Sequence, residues 1–353
     1  MVGRAESDAE GAAPEESDAA GEGEDEALET RRASVGEAQH GERLDKVVVV
    51  IAPEFSRSHL QGLIRGGQVS VDGVVVTSPA QRVHAGQHLA VTLLPTAESR
   101  AYRAEALPLV IVHEDEDLLV VDKAAGMVVH PAAGHWSGTL LNALLARHPA
   151  SAALPRAGIV HRLDKDTTGL MVAAKNDRAH RSLSAQFADH GRTGSMRRGY
   201  MAFAWDVPNR QRGTVDAPID RHPFAREKMA VRDGGREAIT HWEIQESFHG
   251  RDGKPIAALL ACQLETGRTH QIRVHLAHIG HPLLGDSVYG PHFKTKASHL
   301  GPMSQAALVD LDRQALHAYL LALEHPQTGA ILEWISDLPP DLARLRNALR
   351  ATQ

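Results

Sequence analysis

The 353-residue chain has a single cysteine. Cys262 can form no internal disulfide, and without a Cys-x-x-Cys pair there is no thiolate site for zinc or an iron–sulfur cluster, so a reducing cytoplasm is the expected compartment. Aromatic residues make up only 4%, too few for the stacked platform of a sugar-binding cleft. No apolar run approaches the roughly 18 residues that span a bilayer, and the N-terminus lacks the basic, apolar, small-residue order of a signal peptide. No contact with a membrane is expected. Internal repeats and a glycine-rich phosphate loop are also missing.

What is present is unevenly spread. The net charge of −6 belongs to the first 38 residues, which hold 12 Asp/Glu against 3 Lys/Arg and almost no aliphatic bulk. Such a segment cannot bury enough surface to offset chain entropy, so 1–38 is expected to be a disordered acidic tail. The remainder has 35 Lys/Arg against 32 Asp/Glu, and all 22 histidines, a balance that admits a polyanionic partner.

Residues 39–96 read as one small unit. SRSHLQGLIRGG carries a Ser start signal, Leu60, Leu63 and Ile64 at helical spacing and a Gly-Gly stop, which predicts a short helix. VSVDGVVV predicts a hairpin on Asp-Gly, and HLAVTLL a further strand. The run Val47–Ile51 has poor helix propensity, which leaves the first segment of the unit open. A linker is expected over 97–104, a larger domain over 105–340 and a C-terminal tail over 341–353. In the larger domain, hairpin-linked strands interspersed with helices predict an α+β fold on a large mixed or antiparallel sheet.

The stretch IVHRLDKDTTGLMVAAK (159–175) gathers His161, Arg162, Asp164, Lys165 and Asp166 between two apolar runs. A solvated charge cluster is the plain reading. A carboxylate held among cations stays ionised, however, and serves as a nucleophile and not as an acid. The residues alone do not choose between Asp164 and Asp166. Tyr200 follows two arginines in an alternating strand, and LETGRTHQIRVHL offers Arg268, His270, Arg273 and His275. On a helix begun near Thr269, His270 and Arg273 would share a face, so that one reaches a carboxylate while the other meets a substrate phosphate. In the small unit Arg43, Lys46, Arg57, His59 and Arg65 could neutralise phosphates.

RLDK (43–46), PEFSRS (53–58) and VSVDG (69–73), in that order, resemble the S4 RNA-binding fold. That likeness points to Arg57 and Arg65 on the second helix, with Lys46, as RNA contacts. HRLDKDTTGL, Y-x-A at Tyr200 and GRTHQIRVH, flanked by GMVVHPAAG (126–134), GHPLLGDSVYG (280–290) and LHAYLLALEHP (316–326), resemble the RluA family of RNA pseudouridine synthases. With an S4 unit in front, the layout is most similar to the branch acting on large-subunit (23S) ribosomal RNA. The resemblance implies Asp164 as the catalytic aspartate, Tyr200 as the active-site tyrosine and Arg273 as the arginine paired with Asp164 in a bidentate manner. His161, Arg162, Arg268 and His270 become substrate or RNA contacts, with His161 or Arg162 filling the gap left by a flipped base or gripping a phosphate.

The implied chemistry breaks the N1–C1′ bond of a uridine, rotates the base and rejoins it through C5. One carboxylate can add to sugar or base, and Tyr200 could stack on the base and later help remove the C5 proton. No metal or other cofactor is required, RNA is the expected partner, and a monomer is expected. Three alternatives compete: a retaining glycosidase using Asp164 and Asp166, a non-catalytic RNA-binding factor, and a metal hydrolase built on His270, His275, His278 and His281. Asp164 and Asp166 share one charged environment, which argues against the first. The presence of both Asp164 and Tyr200 argues against the second, and the lack of a His-Glu-x-x-His pattern or ligand carboxylate against the third.

Overall fold

A computed structural model of the chain describes residues 29–93 and 101–351, apart from positions 133 and 226 and the side chain of Lys294. The expectations for 1–28 and 97–100 lie outside the described residues. The chain divides into two compact units, 1–96 and 97–353.

In the first unit, strands β1 (Glu29–Ser34), β2 (Val69–Val71), β3 (Val74–Val75) and β4 (His88–Leu93) form a sheet in the order β1-β4-β2-β3. Helices α1 (Leu44–Ile51) and α2 (Arg57–Arg65) pack on each other. The valine run is helical because Val47 and Val48 bury completely against Leu60, Leu63, Ile64 and Val91, and packing outweighs the weak propensity of β-branched residues. Ser56 caps α2 by accepting from the His59 N–H, and Asp72 and Gly73 both take positive φ, as the tight hairpin turn requires. Part of the stretch 1–38, expected to be disordered, is ordered. Glu29–Ser34 is a strand because its backbone pairs with all six residues of β4, while Val35 inserts into the core; its alternating polar side chains hid it.

The second unit is an α+β domain. Among the described residues its strands are β5 (Val110–Glu114), β6 (Leu118–Lys123), β7 (Thr168–Ala174), β8 (Arg197–Trp205), β9 (Arg212–Asp216), β12 (Ile239–His249), β13 (Pro255–Leu264), β14 (Leu316–Glu324) and β15 (Ile331–Ile335). They form one mixed sheet in the order β5-β6-β7-β14-β8-β13-β12-β9, with β15 also on β14. Only β7 and β14 run parallel, paired at His317 and Ala318. A small hairpin, β10 (Ile219–Arg221) and β11 (Met229–Val231), stands apart. Helices α3 (Leu140–Arg147), α4 (Asp177–Asp189), α5 (Gln271–His278), α6 (Pro302–Leu311) and α7 (Pro340–Arg350) complete it.

Two boundaries need correction. Residues 101–104 are no free linker: Ala101 is buried, and Asn142 of α3 donates to the carbonyls of Ala101 (3.2 Å) and Arg103 (2.8 Å). The expected C-terminal tail is α7, whose Leu342, Leu345 and Leu349 bury beside Phe248, Leu259 and Leu311. Their helical spacing places three leucines on one face.

Candidate active site

A cavity of about 540 Å³ opens in the second unit, lined by Asp164, Tyr200, His270 and Arg273 together with seven further cationic or imidazole side chains on its wall, among them Arg162 and Arg268. Asp166 is not part of the wall. The HRLDKD segment is a loop entering β7, and three features hold it. Leu163 buries; the Thr167 N–H bonds back to the Asp164 carbonyl; and Gly169 (φ +116°) lets β7 approach β14 so closely that a Cβ would lie 2.2 Å from the Ala318 oxygen.

Two buried cations fasten the same loop from behind. Lys123, 1% exposed, donates through Nζ to the carbonyls of Ala124 (2.8 Å), Met127 (3.0 Å) and Lys165 (2.8 Å). Burial pulls its pKa down to about 8. Arg313 donates to the Asp166 carbonyl (3.0 Å) and is itself held by Asp341 of α7 (2.8 Å). Neither residue was singled out from sequence; a lysine closing the aliphatic strand LLVVDK was the one visible sign.

Arg273 reaches Asp164, but differently from the expected bidentate pair. Its Nε and Nη2 grip Asp286 (2.7 and 3.0 Å), whose carboxylate also accepts the N–H groups of Val288 and Tyr289. Only Nη1 is left for Asp164, at 3.2 Å. The bidentate partner is therefore Asp286, fully buried and missed from sequence although GHPLLGDSVYG was noted as a motif. The consequence is chemical: the arginine is fixed by one aspartate, and the other keeps an oxygen without a hydrogen bond among the described residues.

His270 corrects the helical reading. It precedes α5 in a left-handed conformation (φ 56°), so it does not share a helical face with Arg273, yet its Nε2 still lies 3.9 Å from Asp164. The Tyr289 hydroxyl accepts from the Met229 N–H (2.8 Å) and lies 2.9 Å from His270 Nδ1. The ring thus turns Nδ1 to the phenol and presents Nε2 toward Asp164. Burial keeps this imidazole below its usual pKa.

His161 is not the expected phosphate grip. Its Nε2 accepts from the Val172 N–H (3.0 Å) and its ring stacks on Phe187 at 4.2 Å. Burial lowers its pKa to about 3, so it is a neutral, structural ring. Arg162 is exposed at the cavity mouth. Arg268 is half-buried and donates to the Glu237 carbonyl (2.9 Å). Tyr200 lies on β8 between Cys262 and Ala318. Burial raises its phenol above the ordinary value, which suits a ring that stacks on a base better than one that accepts a proton.

The histidines weighed for a metal have separate partners. His275 lies 2.9 Å from both Thr240 Oγ1 and the Ala217 carbonyl, and His281 bonds to the Trp205 carbonyl (3.1 Å). Asp115, Asp117 and His325 do come together elsewhere. There, however, His325 Nδ1 accepts the N–H groups of Gln327 and Thr328, which leaves a proton, and no lone pair, on the nitrogen facing the carboxylates.

In the first unit Arg65 and Lys46 are exposed, Lys46 beside Glu42 (3.0 Å). Arg57 is exposed but tied to Asp45 (2.8 Å).

Residues 117–278 match the RNA pseudouridylate synthase family model and residues 42–89 the S4 domain model. The chain is 46% identical over 335 residues to ribosomal large subunit pseudouridine synthase D of Nitrosomonas europaea, covering 95% of this chain and 92% of that one. The protein of the same name in Pseudomonas aeruginosa is 48% identical over 314 residues, covering 88% and 92%; that of Escherichia coli strain K12 is 44% identical over 321, covering 90% and 94%. Among solved structures, human RNA pseudouridylate synthase domain containing 4 matches with a TM-score of 0.51 at 25% identity, over 68% of this chain and 93% of that one.

Proposed function

Because the chain belongs to the RNA pseudouridylate synthase family, and is an RNA pseudouridine synthase with an S4 domain, we propose that its substrate is large-subunit ribosomal RNA in the cytoplasm and that Asp164 carries the chemistry. The observation that carries the reading is the Asp164 carboxylate facing the cavity with one oxygen that no described residue hydrogen-bonds, held in place by an arginine whose charge is balanced mainly by Asp286.

In the reaction the target uridine leaves its stack and enters the cavity, at a cost of a few kcal/mol. Tyr200 supports the base and Arg162 at the mouth meets the RNA strand. The free carboxylate oxygen adds to C1′ or to the base, the N1–C1′ bond breaks, the base turns, C5 bonds to C1′, and the bond to Asp164 breaks with its electron pair returning to the carboxylate. The C5 proton is lost and N1 gains one, so the product is an isomer of the substrate. Arg273 keeps Asp164 oriented through the sequence. The S4 domain, through Arg65 and Lys46, supplies RNA affinity.

The test is base-resolution mapping of pseudouridine after incubation of wild type and Asp164→Asn with protein-free large-subunit rRNA and with a tRNA transcript. Wild type is expected to modify the rRNA and Asp164→Asn to bind it equally without modifying it. Modification of tRNA alone would overturn the substrate, and an active Asp164→Asn would overturn the assignment of the nucleophile.

A further inference from the structure

The cavity wall carries Arg156, Arg162, Arg198, Arg268 and Arg273, against one carboxylate, Asp164. Arg273 is balanced by Asp164 and Asp286; Arg198 is the anomaly. It is only 7% exposed, yet among the described residues no carboxylate contacts it. Its Nε is buried without a hydrogen-bond partner, and Nη2 finds only Nδ1 of His190, at 3.3 Å. The Nε/Nη2 edge is the one with which Arg273 grips Asp286, and here half of it is unused and half meets an imidazole. The guanidinium rests 5.7 Å from the centre of the Phe187 ring. Its Nη1 lies beside Gly267, where a side chain would begin 3.0 Å away, so that wall is bare.

A buried cation without a counter-charge is costly and is expected where an anion arrives during function. His190 fits the same need. Burial, and then Arg198, Arg268 and Arg192, lower its pKa to about 4, so it is neutral, and Nδ1, accepting from Arg198, leaves the proton on Nε2 as a further donor. We infer that Arg198, His190 and Arg268 form an anion subsite in the cavity wall that takes one phosphodiester of the RNA strand carrying the reacting uridine. The inference rests on the proposed reading of Asp164 as the reacting group in the same cavity, and it makes Arg198 a positioning residue for the strand. The phosphate supplies the counter-charge Arg198 lacks and pins the backbone on one side of the flipped nucleotide.

The experiment uses a large-subunit rRNA stem-loop that contains a mapped target uridine, with each phosphate near that uridine replaced in turn by an uncharged methylphosphonate. Affinity and single-turnover rate are read for the full-length wild type, Arg198→Gln, Arg198→Lys and Gly267→Ala. In wild type, one replacement is expected to weaken binding about tenfold or more, as loss of one phosphate contact. Arg198→Gln is expected to lose about the same factor on the normal RNA, to lower the salt slope by about one unit, and to be indifferent to that one replacement. Arg198→Lys should recover part of the loss, and Gly267→Ala, which pushes the guanidinium aside, should reproduce it with the charge kept.

If no single phosphate matters to wild type, or if Arg198→Gln and the neutral phosphate weaken binding independently, the subsite is wrong. A change confined to the pH profile of the rate would instead make Arg198 an electrostatic partner of Tyr200, and would also overturn it. Because the affinity readout needs no turnover, a wild type that forms no pseudouridine defeats the functional reading alone. Should Arg198→Gln fail to fold, the wild-type phosphate scan with Gly267→Ala decides.

Discussion

The tetrapeptide Arg-Leu-Asp-Lys occurs twice, at 43–46 and at 162–165, and the two copies do opposite things. Both bury the leucine. In the first copy Asp45 opens α1 with no exposure, and its two oxygens accept from Arg43 (3.0 and 3.2 Å), Arg57 (2.8 Å) and Gln61 (2.6 Å). Arg43, ahead of its other donors, holds this carboxyl far below the usual carboxylate range. In the second copy Asp164 has a single bond, to Arg273 at 3.2 Å, and faces a cavity. A saturated carboxylate is an anchor; one with an oxygen to spare can react. Neighbouring positive charge, common to both, does not distinguish them.

The comparison breaks if both aspartates behave alike on substitution. The largest effect is expected at Asp164→Asn: no pseudouridine at any enzyme concentration, with RNA affinity and melting temperature unchanged. Asp286→Asn, which loosens the arginine behind Asp164, is expected to lower the single-turnover rate about 10- to 100-fold, with the RNA dissociation constant nearly constant. Asp45→Ala should leave the rate at saturating RNA intact but destabilise the first unit by about 1–3 kcal/mol, read by denaturant unfolding, because three donors lose their acceptor. The pH dependence has a definite sign. A depressed carboxyl stabilises fully above its unfolded value near 3.9 and loses that contribution as pH falls toward the folded value, so wild type and Asp45→Ala should converge below about pH 4. The smallest effect sharpens the division within α2. Arg65→Gln should lower the salt slope of RNA binding by about one unit without a stability cost, whereas Arg57→Gln should also lower the melting temperature.

Much of this was legible beforehand, for identifiable reasons. The turn at Asp72-Gly73, the Ser56 cap and the apolar spacing of α2 are local signals, and they lie where local rules put them. The valine helix α1 and the leucines of α7 were obscured because tertiary burial, and not propensity or position in the chain, decides their state. Within the site, the motifs marked Asp164 and Arg273, but roles that depend on who meets whom across the fold were invisible. Asp286 lies 13 residues from Arg273, and Lys123 lies 42 from the carbonyl it holds. His161 shows the converse error: a titratable residue in the right motif whose nitrogen is already taken by a backbone N–H.

The linkage of Asp341 through Arg313 to the Asp166 carbonyl also sets an order of events during synthesis. Residues 29–93 contain a complete small core of their own and are made first. Helix α7, which follows the other described elements in the chain, carries the aspartate that holds Arg313 behind the Asp164 loop. A growing chain can thus acquire its S4 domain long before the Asp164 loop is fastened from behind, since N-terminal domains fold as they emerge at about 5–20 residues per second. In a nascent chain the contact that backs the Asp164 loop can close only after α7 has emerged.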